Sequence, residues 1–320
     1  MSMIPKTAGA AAVPAGTSRR SRDFHRLSPF WNTIFHLVSG GFALACVFPF
    51  LFVVIISLTR EQSLLEVGYR IIPDALSLSA YRYIFQTGDQ LLQSYLVTIT
   101  ITVLGTLLTV VMTTLYAYAL SRKSFKYRGF FSFLAFFTML FSGGLVPTYI
   151  VVTQFLHLKD TLWALILPMA MNAFNILVLR TFFQTMVPDP IIESGKIDGA
   201  GEFRALFSLV LPISLPGLAT IALFSTLGYW NDWFNALLYI DSNQLVPLQA
   251  LLMRIQNSMQ FIIQNSSLLS SGQSKEMIRS LPQETSRMAM VVLATGPIVL
   301  AYPFFQRYFI QGLTIGAVKD

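Results

Sequence analysis

Long apolar runs, broken at intervals by short charged stretches, organise this chain. The first extends from Leu27 to Thr59 without a charged residue. About 20 apolar residues in helical conformation cross the hydrocarbon core of a bilayer. By that measure the pattern predicts six spanning helices, near 31–58, 92–120, 129–156, 161–184, 209–239 and 286–307. The fourth and sixth rest on shorter charge-free runs, Thr161 to Leu179 and Met288 to Gln306, and the third is interrupted by Ser142-Gly143-Gly144 and Pro147. Such breaks are tolerated where neighbouring helices or a watery cavity satisfy the freed backbone groups. The first run is too long for a cleavable leader, whose apolar core spans roughly 7–15 residues. Residues 1–28 lack hydrophobic periodicity, are rich in Ala, Gly, Pro, Ser and Arg, and read as a disordered tail. The expected architecture is an all-α integral membrane protein. It comprises a tail over 1–28, a membrane domain over 29–310 and a C-terminal tail over 311–320.

Composition agrees with lipid as the solvent. Of 320 residues, 54% are hydrophobic and 12% charged, about half the charged fraction usual in a soluble domain. The mean hydropathy is +0.61. Net charge is +7, which on a membrane protein first suggests cytoplasmic loops and not nucleic acid. With the N-terminus inside, fourteen of the 22 Lys and Arg residues fall on the cytoplasmic side and eight outside. The outer connections are long and weigh less in this rule, so both termini are expected inside. The lone Cys46 excludes a disulfide within the chain, and His25, His36 and His157 lack metal-ligand spacing.

The segment from Glu193 to Pro212 lies between the fourth and fifth predicted spans, on the side assigned as cytoplasmic. Asp189-Pro190 before it is a helix start, an N-cap acid followed by proline at the first helical position. Gly199 and Gly201 permit a sharp turn, and Glu202 to Leu211 can resume as helix until Pro212. Two short, angled helices at the membrane surface would be stiff enough to transmit force to a soluble partner. An ordinary connector with turn glycines explains the residues equally well.

The segment resembles the EAA loop of ABC importer permeases, a Glu and two small residues, then Gly after a further three, ending in Leu-Pro. Glu193, Asp198, Gly199, Ala200, Leu211 and Pro212 match, while Ser194 and Gly195 replace the two alanines. Further likeness comes from Phe141-Ser-Gly-Gly-Leu-Val-Pro-Thr-Tyr149, Leu162-Trp-Ala-Leu-Ile-Leu-Pro168 and Tyr229-Trp-Asn-Asp-Trp-Phe234. These are similar to the carbohydrate-uptake branch, the MalG-like and LplC/YtcP-like permeases, over about residues 30–320. The resemblance implies the type I importer permease fold in a bacterial cytoplasmic membrane, with a core about 92–307. It implies ATPase docking by Glu193, Ser194, Gly195, Asp198, Gly199, Ala200, Phe203, Phe207 and Pro212. It also implies that Gln311, Gly312 and Lys319 of the tail reach the ATPases. The implied partners are a second, non-identical permease, two ABC ATPases, an extracellular solute-binding protein touching the connection from Asp241 to Thr285, membrane lipid and a carbohydrate substrate.

Candidate chemistry elsewhere is sparse. Phe141-Ser-Gly-Gly-Leu145 and Leu269-Ser-Ser-Gly-Gln273 echo the ABC ATPase signature, but no G-x-x-x-x-G-K-[ST] phosphate loop exists in the sequence. ATP hydrolysis is therefore expected on another polypeptide, and this chain is expected to be no enzyme and to need no cofactor. Asp232 is the one acid placed inside a predicted span, beside Tyr229, Trp230, Asn231 and Trp233. Intramembrane acids are functional candidates by default, so these five are candidates for the translocation path or outer mouth. An aromatic belt near the interface accounts for them as readily. A secondary transporter or channel would instead predict paired intramembrane charges and internal symmetry, which the sequence lacks.

Overall fold

A computed structural model describes residues 29–86, 88–264 and 282–317. The tail 1–28, Lys319 and the segment 265–281 of the expected binding-protein loop, with Ser-Ser-Gly-Gln inside it, lie outside the described residues. The chain divides after Phe50 into two units. The first unit's described part is the beginning of helix α1 (Pro29–Ser57). Large apolar side chains there, among them Phe30, Trp31, Phe42 and Leu44, are exposed.

The second unit is helical. Its elements are α2 (Glu61–Val67), α3 (Ser79–Phe85), α4 (Gly88–Ser121), α5 (Arg128–Leu140) and α6 (Leu145–Ile150). They continue with α7 (Leu162–Ile166), α8 (Ala173–Met186), α9 (Asp189–Ile197), α10 (Glu202–Ala205) and α11 (Leu211–Ile213). The last are α12 (Leu215–Trp230), α13 (Phe234–Tyr239), α14 (Leu248–Gln264) and α15 (Gln283–Ala317). Among the described residues the only β pairing is an isolated bridge between Thr59 and Leu76.

The central helix α4 has the residue distribution of a protein dissolved in lipid. Its buried side carries a stripe of small or hydroxylated residues, Ser94, Thr98, Thr102, Gly105, Thr109 and Thr113, spaced three or four apart, beside the buried Leu91, Val97 and Ile101. Its exposed side is aliphatic, with Leu96, Val103, Leu107, Val111 and Leu115. Water would favour the reverse. In a bilayer, aliphatic side chains gain nothing by leaving lipid, so helices associate through small residues and interhelical hydrogen bonds. Both are present. A Cβ on Gly105 would come within 2.5 Å of the Tyr229 ring, so glycine lets α12 approach α4. The Tyr229 hydroxyl lies 3.1 Å from Thr109 Oγ1 and donates to the Ile166 carbonyl at 3.0 Å. Tyr95 and Trp230 tie α4 and α12 to α15, donating to the Leu293 and Ala294 carbonyls at 2.9 and 2.8 Å.

Among the described residues, three helices are long and apolar enough to cross a membrane, and three bent pairs bring the number to six if each is one span. The third predicted span turns through 113° between α5 and the stretch from α6 to Phe155. Gly144 sits in this break at φ +86°, so Ser-Gly-Gly is a structural turn. The fourth bends by 52° before α8, whose first turn is capped by the Asn172 side chain accepting from Asn175 N–H. The fifth, expected as one helix over 209–239, is corrected to several pieces. The chain bends by 84° at Ser214 and breaks again over Asn231–Trp233. Pro212 and Pro216 flank the bend, and each removes a backbone donor from the ladder. At the other extreme, α15 runs through to Ala317, so Gln311 and Gly312 continue the helix where a separate tail was expected.

Candidate coupling surface and outer mouth

Helix α9 starts one residue earlier than the cap the sequence suggests. Pro188 is the N-cap, and Asp189 is the first helical residue. Its carboxylate makes no cap bond and instead meets Lys123 Nζ at 2.6 Å. That contact ties α9 to the connection between α4 and α5. Lys123 holds the Asp189 carboxyl below its ordinary range.

The end of α9 is a Schellman motif. Ala200 N–H donates to the Gly195 carbonyl and Gly199 N–H to the Lys196 carbonyl, at 2.9 and 3.0 Å. That pair of bonds requires a left-handed residue after the C-cap, and Gly199 supplies it at φ +82°. Gly195 serves a different need: a Cβ there would lie 2.6 Å from Leu209 Cδ1. One glycine sets the angle between the short helices and the other sets their closeness.

A single carboxylate then braces the turn. Glu202, the first residue of α10, takes Lys196 Nζ on Oε1 at 2.6 Å and the Tyr118 hydroxyl on Oε2 at 2.8 Å. It joins α9, α10 and the end of α4, and the Lys196 and Tyr118 contacts keep its carboxyl low. The Arg122 guanidinium stands 5.2 Å from the centre of the Tyr118 ring. Beneath, Ile192, Leu206 and Val210 form a buried cluster with Ala117, Tyr118, Leu179, Phe183 and Val187. The opposite face is open. Glu193, Ser194, Asp198 and Pro212 are exposed, and Ile197, Phe203 and Phe207 are 86%, 73% and 59% exposed. Ala200 is partly covered at the turn.

The five candidates for the path or mouth separate into two groups. Tyr229 and Trp230 are buried and spent on helix packing. Asn231 and Trp233 are exposed, in the break between α12 and α13. Asp232 turns inward, and its two oxygens accept the Asn235 backbone N–H at 3.2 Å and its side-chain amide at 2.9 Å. Its role in this geometry is to start α13.

Two constellations escaped sequence reading. One is Glu202 with Tyr118, Lys196 and the Lys123–Asp189 pair. The other is Glu61, buried at 6% exposure. Its carboxylate accepts the backbone N–H groups of Glu284 and Thr285, both at 2.9 Å, and the Thr285 hydroxyl at 2.6 Å. It caps α15 from 223 residues away. No local spacing signals either. Among the described residues, no group of three His, Cys, Asp or Glu could hold a metal ion.

No family model matches the sequence. The chain is 42% identical over 294 residues to the Bacillus subtilis protein named polygalacturonan/rhamnogalacturonan transport system permease protein YtcP, covering 90% of this chain and 99% of that one. The chain belongs to the carbohydrate-uptake ABC importer permeases. This permease is also 40% identical to Bacillus subtilis Protein LplC, over 88% of its own length and 92% of the relative's. In structure it is similar to a chain of a bacterial ABC transporter for import of the acidic polysaccharide alginate. The TM-score is 0.71 at 26% identity, covering 89% of this chain and 99% of the other. The permease is thus an integral membrane component of an ABC import system.

Proposed function

We propose that this permease carries carbohydrate, as oligosaccharide, across the bacterial cytoplasmic membrane, and that α9 to α11 couple it to ATPase subunits that hydrolyse ATP elsewhere. It has six spans, with α9 to α11 outside them and both termini inside. It pairs with a second, similar permease, two ATPases bind below, and a solute-binding protein delivers sugar from outside. ATP binding draws the ATPases together, the coupling helices follow, and the pathway alternates between inward and outward access. Such a cycle requires the partners to make different contacts in the two states.

The observation that carries this reading is the exposure of Ile197, Phe203 and Phe207 on an element braced by Glu202 and anchored beneath by Ile192, Leu206 and Val210. Exposed apolar clusters rimmed by polar residues mark interaction sites, and Glu193, Asp198 and Arg204 supply such a rim. The names of the relatives support a polysaccharide or oligosaccharide as cargo. Replacing Gly199 with leucine tests it. The added side chain meets open space, but a non-glycine residue at this φ costs on the order of 1–3 kcal/mol. The Schellman turn should open and misplace α10 while the spans still insert. Co-purified ATPase should fall about tenfold or more. Full ATPase retention with full uptake would remove α9 to α11 from the coupling role.

A further inference from the structure

A cavity of about 180 Å³ lies where the α12–α13 break, α14 and the start of α15 meet. Its lining includes Trp233, Gln249, Met253, Gln256, Arg287 and Met290. We propose that it binds one acidic sugar unit of the cargo, with Arg287 reading the carboxylate and Trp233 stacking on the ring. This rests on the carbohydrate reading above and names the class of sugar for this subunit.

The chemistry of the lining carries the assignment. Small-molecule sites are mostly apolar clefts with a few convergent polar groups. Here the apolar part is Leu252, Met253, Met290, Val291, Ala294 and an indole left 38% exposed. An indole offers a flat apolar face with one polar edge, suited to the C–H face of a pyranose. Gln249 and Gln256 each present donor and acceptor atoms, which match ring hydroxyls. Arg287 provides a planar fork that pairs with a carboxylate in two parallel bonds.

Arg287 retains capacity for such a ligand. Its internal partner is Glu284, at 3.5 Å to each carboxylate oxygen, beyond the 2.7–2.9 Å of a strong charge-assisted bond. Glu284 is shared, since its Oε2 also accepts from the Tyr69 hydroxyl at 3.1 Å. The Glu61 cap fixes the turn that carries Arg287. Asn231 borders the site, its side-chain oxygen 3.4 Å from Gln249 Nε2.

The test uses the complete importer, with its ATPases, partner permease and binding protein, in proteoliposomes. Uptake of trigalacturonate is compared with uptake of its trimethyl ester. Binding protein and partner subunits are common to every arm, so a change in the acid-to-ester ratio reports this cavity. Arg287→Gln should lower that ratio about tenfold or more, and Arg287→Lys should give an intermediate value. Trp233→Ala should depress uptake of both probes alike. Complexes are first checked for full subunit assembly, and if the Gln variant fails that check the Lys variant is decisive. An unchanged ratio in an assembled Arg287 variant overturns the proposal. A wild-type importer that carries neutral galactotriose but not the acid overturns the acidic assignment and leaves the carbohydrate reading intact. One that carries none of the three probes overturns both.

Discussion

The candidate coupling surface and the candidate outer mouth use the same few residue types in different ways. At the coupling candidate, some charged residues pair with one another, and apolar residues stand exposed beside the exposed Glu193 and Asp198. Glu202 is engaged by Lys196 and Tyr118, Asp189 by Lys123, and Ile197, Phe203 and Phe207 remain uncovered. At the candidate outer mouth the aromatic residues Tyr229 and Trp230 are buried as fasteners, and a mainly apolar lining carries a few polar groups, Gln249, Gln256 and Arg287. A surface that docks a protein, as proposed for α9 to α11, gains from desolvating apolar area, which is non-directional and tolerant of small shifts. A mouth through which polar cargo passes needs directional groups that bind weakly enough to release. The acids show the contrast most plainly. Glu61 is buried and holds backbone donors of α15, whereas Asp189 sits at the surface on one lysine.

That contrast can be broken most forcefully at Glu61. Glu61→Ala leaves two backbone N–H groups and a hydroxyl without their acceptor in a buried place, at a cost of about 2–4 kcal/mol. Thermal unfolding of the detergent-purified permease should show a clear loss of stability, with Glu61→Gln intermediate. A neutral Glu61→Ala would mean that α15 is positioned by its apolar contacts alone.

The next test sharpens the role of the uncovered apolar face. Phe203→Ala removes a ring that is 73% exposed, so stability of the isolated permease should hardly move. ATPase affinity should fall about tenfold, as for a central aromatic anchor. Equal loss of stability and affinity would mean that the ring supports the fold and not the contact.

The smallest effect is expected at Asp189. Lys123 depresses its folded-state carboxyl, so the pair contributes above the ordinary carboxylate range and fades as pH falls through the depressed folded value. Asp189→Asn should therefore match wild-type ATPase binding within error at neutral pH, as exposed ion pairs contribute little. In titration of ATPase co-purification, the two should differ in pH dependence only below about pH 4. A large neutral-pH defect would make this pair a principal strut of α9.

Read by itself, the sequence determined what local chemistry and solvent dictate. Runs free of charge declared a lipid environment because a helix of fixed rise needs a fixed apolar length. Asp189-Pro190 and Gly199 announced a short helix and its end, since an N-terminal proline and a left-handed C′ residue act within a few positions of themselves. The residues implicated in docking are contiguous for the same reason. Tertiary structure alone decided the bends, because a run such as 209–239 is equally apolar straight or broken, and the choice falls to neighbours that accept the freed backbone groups. It decided that Tyr229 and Trp230 are fasteners while Trp233 stays exposed, though all three are aromatic within five positions. It also decided the pairing of Glu61 with Thr285 and the meeting of Trp233, Gln256 and Arg287. Partners hundreds of residues or several helices apart have no periodicity in common, and only the packing of α4, α12 and α15 brings them within reach.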